Sequence, residues 1–224
     1  MKIGIIGQGY VGTAIKVGFE PHYELETYDK YDKDKSTCDN LFDLVMECDV
    51  MFVCVPTPMN KDGSCNTDIV EDVISDINDV VHIDRLNHNP KTDKIVVIKS
   101  TVPPGTTDRL NKENDNVTVI FNPEFLTERS AKFDFINQSR FILGGSEQNV
   151  EKVANLYIDR FGSTTPVIKT NFETAEMIKY MNNCYFATKV SFMNEMKQIA
   201  DKCGVDWDTA VDGFIRDGRI GHSH

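Results

Sequence analysis

Lys2-Ile-Gly-Ile-Ile-Gly7-Gln-Gly9-Tyr-Val-Gly12 is the stretch that decides how the rest of the chain is read. A short apolar run predicts a buried strand, and glycines at 7, 9 and 12 fit G-x-G-x-x-G where a strand opens into a helix. Gly7 permits the tight turn, Gly9 lets a pyrophosphate approach the backbone, and Gly12 lets helix and strand pack closely. The helix behind them, predicted over Tyr10–Phe19, turns its unpaired N–H groups toward an anion. Gly7, Gln8, Gly9, Tyr10, Val11 and Gly12 are therefore the first candidate dinucleotide contacts. Asp29 ends a second strand-like segment, Glu24–Tyr28, where a carboxylate accepts hydrogen bonds from an adenosine ribose. It would repel a 2′-phosphate, so NAD is expected over NADP. The competing reading is a glycine-rich turn in an α/β domain that binds no nucleotide.

Outward from this turn, apolar runs recur with helical segments between them. Val50–Val55, Lys94–Lys99 and Val117–Phe121 read as buried strands, with shorter ones at Phe141–Leu143 and Val167–Ile168. Asp68–Val81 and Glu147–Phe161 read as amphipathic helices, and Asp29–Asp39 and Asn87–Asp93 as polar loops. The alternation predicts an α/β fold, a doubly wound, mostly parallel Rossmann-type sheet. The period then changes. From Thr170 to about Cys203 no proline or glycine intervenes, and Met177, Ile178, Met181, Tyr185, Phe192, Met193, Met196 and Ile199 recur at helical spacing. Thr170-x-x-Glu173 reads as a capping box and Gly204 as the stop, with a second helix over Trp207–Ile215. The expected division is residues 1–169, the nucleotide domain, and 170–224, a long connecting helix and the start of a small helical domain. A helix of that length commonly links domains or packs on its counterpart in a dimer.

Composition narrows the partners. A net charge of −11, from 35 acidic and 24 basic residues, argues against nucleic acid or an anionic membrane and requires a locally basic pocket for an anionic substrate. No apolar run is long enough for a membrane helix, and no signal peptide is evident, so a cytoplasmic protein is expected. Cys38, Cys48, Cys54, Cys65, Cys184 and Cys203 show no metal-ligand spacing and are expected as buried free thiols. His222 and His224 at the end of the sequence read as a loop rather than a metal site, and no metal is expected.

Four further segments carry chemistry. Pro56-Thr57-Pro58 and Ser100-Thr101-Val-Pro-Pro-Gly105 each set a hydroxyl and rigid prolines just past a strand end, able to form a cofactor wall or an ordinary turn. Asn122-Pro-Glu-Phe-Leu-Thr-Glu128 places two carboxylates, Glu124 and Glu128, four residues apart at the carboxyl end of the sheet, where ligands of such folds bind. That spacing predicts one face of a short helix. Lys179 and Asn183 stand i, i+4 on the long helix, fit to bind an alkoxide or oxyanion, or simply a solvated face.

Taken in order, Gly7-Gln-Gly-Tyr-Val-Gly12, Val55-Pro-Thr-Pro58, Lys99-Ser-Thr-Val-Pro-Pro-Gly105, Asn122-Pro-Glu-Phe-Leu126, Lys179-Tyr-Met-Asn-Asn183 and Asp217-Gly-Arg-Ile-Gly221 resemble the N-terminal part of the UDP-glucose/GDP-mannose dehydrogenase family. The resemblance covers nearly the whole chain. It implies oxidation of a nucleotide sugar at C6, UDP-glucose to UDP-glucuronate, with two NAD⁺ consumed. By it, Thr101 would orient a water, Glu124 and Glu128 would line the junction of nicotinamide and sugar, and Glu128 would handle protons. Phe125 and Leu126 would contact the sugar nucleotide, Lys179 would stabilise oxyanions and Asn183 would bind the sugar. Pro56, Thr57, Thr101 and Glu128 would also touch the cofactor. Arg219 would reach the substrate of a neighbouring subunit in a homodimer. One departure is local: the family usually has arginine before the second glutamate, whereas here Thr127 precedes Glu128 and Arg129 follows it.

A larger departure concerns the nucleophilic cysteine, which in the family lies in a GFGGxCxPKD segment ahead of a UDP-binding domain. None of the six cysteines has that setting, so the expectation is a chain with the NAD half, the carboxylates, Lys179 and Asn183 but without the thiol, little active alone. Other readings stay open. One is a non-catalytic NAD-binding module; another is a UDP-N-acetylmannosamine or GDP-mannose dehydrogenase fragment. A β-hydroxyacid dehydrogenase is disfavoured by the Ser-Thr-Val-Pro-Pro-Gly and Asn-Pro-Glu-Phe-Leu segments.

Overall fold

The computed structural model describes residues 1–87 and 93–221, so most of the expected polar loop at Asn87–Asp93, and the histidines at 222 and 224, lie outside the described residues. The chain divides into two compact units, Met1–Lys179 and Tyr180–His224.

The first unit is built on seven strands: β1 Ile3–Ile6, β2 Leu25–Tyr28, β3 Val50–Val53, β4 Ile95–Ile98, β5 Thr118–Phe121, β6 Phe141–Gly144 and β7 Val167–Thr170. They lie in the order β2-β1-β3-β4-β5-β6-β7. The first five are parallel, as expected. β6 reverses direction against β5 through a single registered pair, Phe121 with Gly144, and β7 runs parallel to β6. The helices are α1 Tyr10–Phe19, α2 Leu41–Glu47, α3 Asp68–Asn87, α4 Thr106–Glu113, α5 Ala131–Ile136 and α6 Glu147–Phe161, with α7 Phe172–Cys203 running on into the second unit.

The central strands are apolar throughout because both faces are covered. On one face Met51, Val53, Val96 and Ile98 pack on Leu44, Ile74 and Ile77 of α2 and α3. On the other Phe52, Val97 and Ile120 meet Phe19, Phe135 and Tyr157 of α1, α5 and α6. The second face is an aromatic cluster, with Phe141 and Tyr157 ring centroids 4.2 Å apart and Phe19 and Phe135 at 5.9 Å. A methyl at Gly18 would fall 2.2 Å from the Phe135 ring, so α1 approaches α5 this closely only with glycine there.

Helices α1, α6 and α8 (Trp207–Ile215) have the bounds their sequence predicts, while α3 continues past Val81 to Asn87. The short helices α2, α4 and α5 were not expected; with 7, 8 and 6 residues they are too brief to declare a period. The expected Thr170 cap is corrected to Asn171, whose Oδ1 accepts from Thr174 N–H at 2.9 Å. Thr170 is still in β7, its carbonyl accepting from Gly145 N–H at 2.9 Å. At the other end of α7, Gly204 has φ +67°, and Val205 N–H reaches Ala200 O at 3.0 Å, the expected glycine stop in Schellman form.

The second unit holds the remainder of α7 and α8, around a groove of about 390 Å³ lined by Tyr185, Phe192, Trp207 and Phe214. All six cysteines are free. Cys38 and Cys48 are buried and Cys54 and Cys65 half-buried, but Cys184 and Cys203 are exposed, because α7 has few layers packed on it there. Among the described residues no helix is long and apolar enough to cross a membrane.

Candidate nucleotide-binding and catalytic cleft

The carboxyl ends of the parallel strands open onto a cavity of about 440 Å³. Its walls come from the segments singled out by sequence: Gly7, Gly9, Tyr10 and Val11 of the glycine turn, Asp29 after β2, Val55-Pro56-Thr57 after β3, Ser100-Thr101 after β4 and Glu124 after β5. Gly7 has φ +87°, a conformation side chains rarely adopt, and a Cβ there would sit 2.6 Å from Cys54 O. A Cβ on Gly12 would lie 1.9 Å from Gly7 O, whereas one on Gly9 would meet nothing. Gly9 is thus demanded by no protein neighbour, as expected if its role is to admit a ligand.

Asp29 holds the turn in shape. Its Oδ2 accepts from Gln8 N–H at 2.7 Å, and Oδ1 from the N–H groups of Tyr31 (2.9 Å) and Asp32 (3.0 Å). Burial pushes this carboxyl up, but the three backbone donors together outweigh it and hold it below the usual range.

Glu124, on the cavity wall, forms a buried pair with Lys179 of α7, side chains 11% and 6% exposed. The Lys179 ammonium donates to Glu124 Oε1 at 2.8 Å and to the Glu124 backbone oxygen at 2.6 Å, and Leu126 N–H donates to Oε2 at 2.7 Å. Phe125 is flanked by two cations, Arg140 at 4.6 Å and Lys179 at 5.4 Å from its ring centroid. The charged residues that line the cavity are Asp29, Lys99 and Glu124, so the locally basic pocket expected for an anionic substrate is not formed by its lining.

The expected common helix face for Glu124 and Glu128 is not formed. Residues 122–127 are irregular, and Glu128 opens a 3-10 turn only at Glu128–Ser130. Pro123 drives Asn122 away from helical backbone, and Thr127 stays extended (φ −93°, ψ 129°) with its N–H donated to Asp134 at 2.8 Å. Glu128 instead lines a neighbouring cleft of about 490 Å³ with Gln8, Gly9, Tyr10, Lys35 and Arg129. The Tyr10 phenol is raised by burial and then by the charges of Glu124 and Glu128, and Tyr10 lines both clefts.

Asn183 is exposed on α7, and Arg219 is exposed and paired with Asp217 at 2.6 Å; both belong to the second unit. Among the described residues no three His, Cys, Asp or Glu cluster as metal ligands would. Cys54 lines the cavity, but burial pushes its thiol up to about 12, which keeps it protonated and unreactive at neutral pH.

Lys99 is a cavity residue that sequence reading passed over. It is 2% exposed at the end of β4, and burial lowers its ammonium to about 8 against the opposing pull of the Glu124 carboxylate. Its sequence signal was weak, since a lysine closing an apolar strand reads as a polar stop.

The residues present fit NAD. The α1 N-terminus begins at Gly9 with no side-chain cap and no acidic residue in its first turn, leaving its N–H groups for a diphosphate. Gln8 Nε2 is buried beside it without a hydrogen-bond partner.

Comparison with known proteins agrees. The NAD binding domain of the UDP-glucose/GDP-mannose dehydrogenase family matches residues 29–160, and the central domain of that family matches residues 173–224. The UDP-glucose 6-dehydrogenase YwqF of Bacillus subtilis is 31% identical across 99% of this chain and 56% of its own length. A UDP-glucose dehydrogenase structure from Pyrobaculum islandicum superposes with a TM-score of 0.86 at 28% identity, covering 98% of this chain and 57% of that one. A ternary complex of GDP-mannose dehydrogenase from Pseudomonas aeruginosa gives 0.82 at 26% identity, covering 97% and 57%. The chain spans little more than half the length of these relatives. With its glycine turn, Asp29 and Glu124 in one cleft and Lys179 paired to Glu124, the chain belongs to the UDP-glucose/GDP-mannose dehydrogenase family and carries its NAD-binding domain.

Proposed function

We propose that the cleft takes part in oxidising the C6 hydroxyl of a nucleotide sugar, UDP-glucose to UDP-glucuronate, as an NAD-dependent UDP-glucose 6-dehydrogenase. The observation that carries this is Glu124, on the wall of the cavity that begins at the glycine turn, held in a buried pair by Lys179. NAD⁺ bound along Gly7–Gly12 and Asp29 supplies hydride acceptance. Two of the three Lys179 donors are taken by Glu124, and the third is available to a developing alkoxide or oxyanion. Thr101 orients a water on the cavity wall, and Glu128 handles protons from the neighbouring cleft, which Tyr10 also lines. Phe125 and Leu126 contact the sugar nucleotide, Asn183 binds the sugar, and Arg219 serves a neighbouring subunit in a homodimer. In this reading the protein works in the cytoplasm, supplying uronate for polysaccharide.

The test is to measure NAD⁺ binding by calorimetry, then sugar binding and NADH formation with UDP-glucose, GDP-mannose and UDP-N-acetylmannosamine in parallel. Selective use of UDP-glucose supports the proposal. NAD⁺ binding with no binding of any of the three nucleotide sugars would favour a non-catalytic NAD module instead, whereas weak NADH formation is what a chain without the family's thiol is expected to show. The family spans UDP-glucose and GDP-mannose enzymes, so GDP-mannose is the second reading.

A further inference from the structure

Glu176 is completely buried on α7, one turn before Lys179, and three donors converge on its carboxylate. Gly105 N–H reaches Oε2 at 2.6 Å, while Thr107 N–H at 2.8 Å and the Thr107 hydroxyl at 2.6 Å reach Oε1. These donors belong to the loop after β4 and the first turn of α4, a helix whose own N-cap, Gly105, has no side chain to offer. The other end of that loop is tied down as well, Ser100 donating to Val55 O at 2.6 Å. Between the two ties run Thr101-Val102-Pro103-Pro104, a span made stiff by its prolines. A stiff span fixed at both ends has one position, and Thr101 lies on the cavity wall within it.

We propose that Glu176 is a positioning residue for the nucleotide cavity: it sets the Ser100–Thr107 loop against α7, so that Thr101 and Lys179 are placed from the same helix. The inference rests on that cavity being the NAD site. A carboxylate is required at 176, because every group facing it is a donor; the NH₂ of a glutamine would oppose one of them. Loss of the tie frees one end of the span and moves the cofactor wall, without touching cofactor directly.

The test compares NAD⁺ affinity by calorimetry with amide hydrogen exchange across residues 100–107 in the wild-type chain, E176Q and T107V. E176Q is expected to bind NAD⁺ about tenfold more weakly, with faster exchange confined to that loop. T107V keeps the carboxylate and both backbone N–H bonds, so an affinity loss of about two- to threefold is expected. Folded E176Q with wild-type affinity and exchange would overturn the proposal; if E176Q does not fold, unchanged affinity in T107V does so. A wild-type chain that binds no NAD⁺ would instead sink the assignment of the cavity, on which the inference rests.

Discussion

Lys99 Nζ donates to Asn122 Oδ1 at 2.8 Å, and the same oxygen accepts from the Tyr157 hydroxyl, while Asn122 Nδ2 donates to Ile142 O at 2.7 Å. One buried amide thus joins the ends of β4 and β5 to β6 and α6, directly beneath the segment that carries Glu124. The Asn-Pro-Glu segment is held from below by this network and from the side by Lys179.

The buried Lys99 gives a pH signature. Its ammonium is lowered from the ordinary 10.5 to about 8 by burial, so between these values the unfolded chain binds more protons and stability from this group rises with pH. Lys99→Met removes the titration while keeping the volume. Unfolding by urea at pH 7 and at about pH 9.5 should show the wild type gaining stability relative to K99M at the higher pH. A gap that stays constant or closes the other way would refute the burial argument.

The glycines separate folding from binding. A Cβ on Gly9 meets no protein atom, so Gly9→Ala should fold with stability within about 0.5 kcal/mol of wild type yet lose NAD⁺ affinity at least about tenfold. Gly12→Ala, with its Cβ 1.9 Å from Gly7 O, should lose both stability and affinity. Thermal unfolding and NAD⁺ calorimetry on the two variants check this.

Lys179→Met would leave the Glu124 carboxylate buried with a single remaining donor, Leu126 N–H. A loss of about 3 kcal/mol is expected from breaking one side of such a pair. The double variant K179M/E124Q should lose less than K179M, since no charge is left stranded. Denaturant unfolding of the cycle measures the difference.

Asp29, held below its ordinary 3.8 by three backbone donors that outweigh burial, contributes stability above that value and loses it as pH falls further. Asp29→Asn should therefore show a shallower fall in stability than wild type below about pH 4. It should also bind NAD⁺ more weakly, because Gln8 N–H loses its carboxylate partner and the turn its brace.

What could be read in the sequence was what depends on local backbone requirements. The glycine turn, Asp29 and the bounds of α1, α6 and α8 follow from positive φ, helical period and strand-end position, all encoded within a few residues. The expected helix face shared by Glu124 and Glu128 was not legible, since Pro123 and the extended Thr127 override the i, i+4 spacing. Glu176 and Lys99 were missed for a different reason. A glutamate on a long helix looks solvated, and a lysine at a strand end looks like a boundary, until the fold lays another element over each of them.

The reversal of β6 and β7 has a consequence for which changes the chain can absorb. Phe121 pairs with Gly144, Gly144 with Thr170, and α7 begins two residues later at Phe172, so the helix starts level with the end of β5. Each residue added to that joint would turn the helix by about 100° and carry it 1.5 Å along its axis. One inserted residue would swing Lys179 off Glu124 and Glu176 off Thr107 together, although neither side chain had been altered. The joint between β7 and α7 should therefore tolerate changes of residue type far better than changes of length.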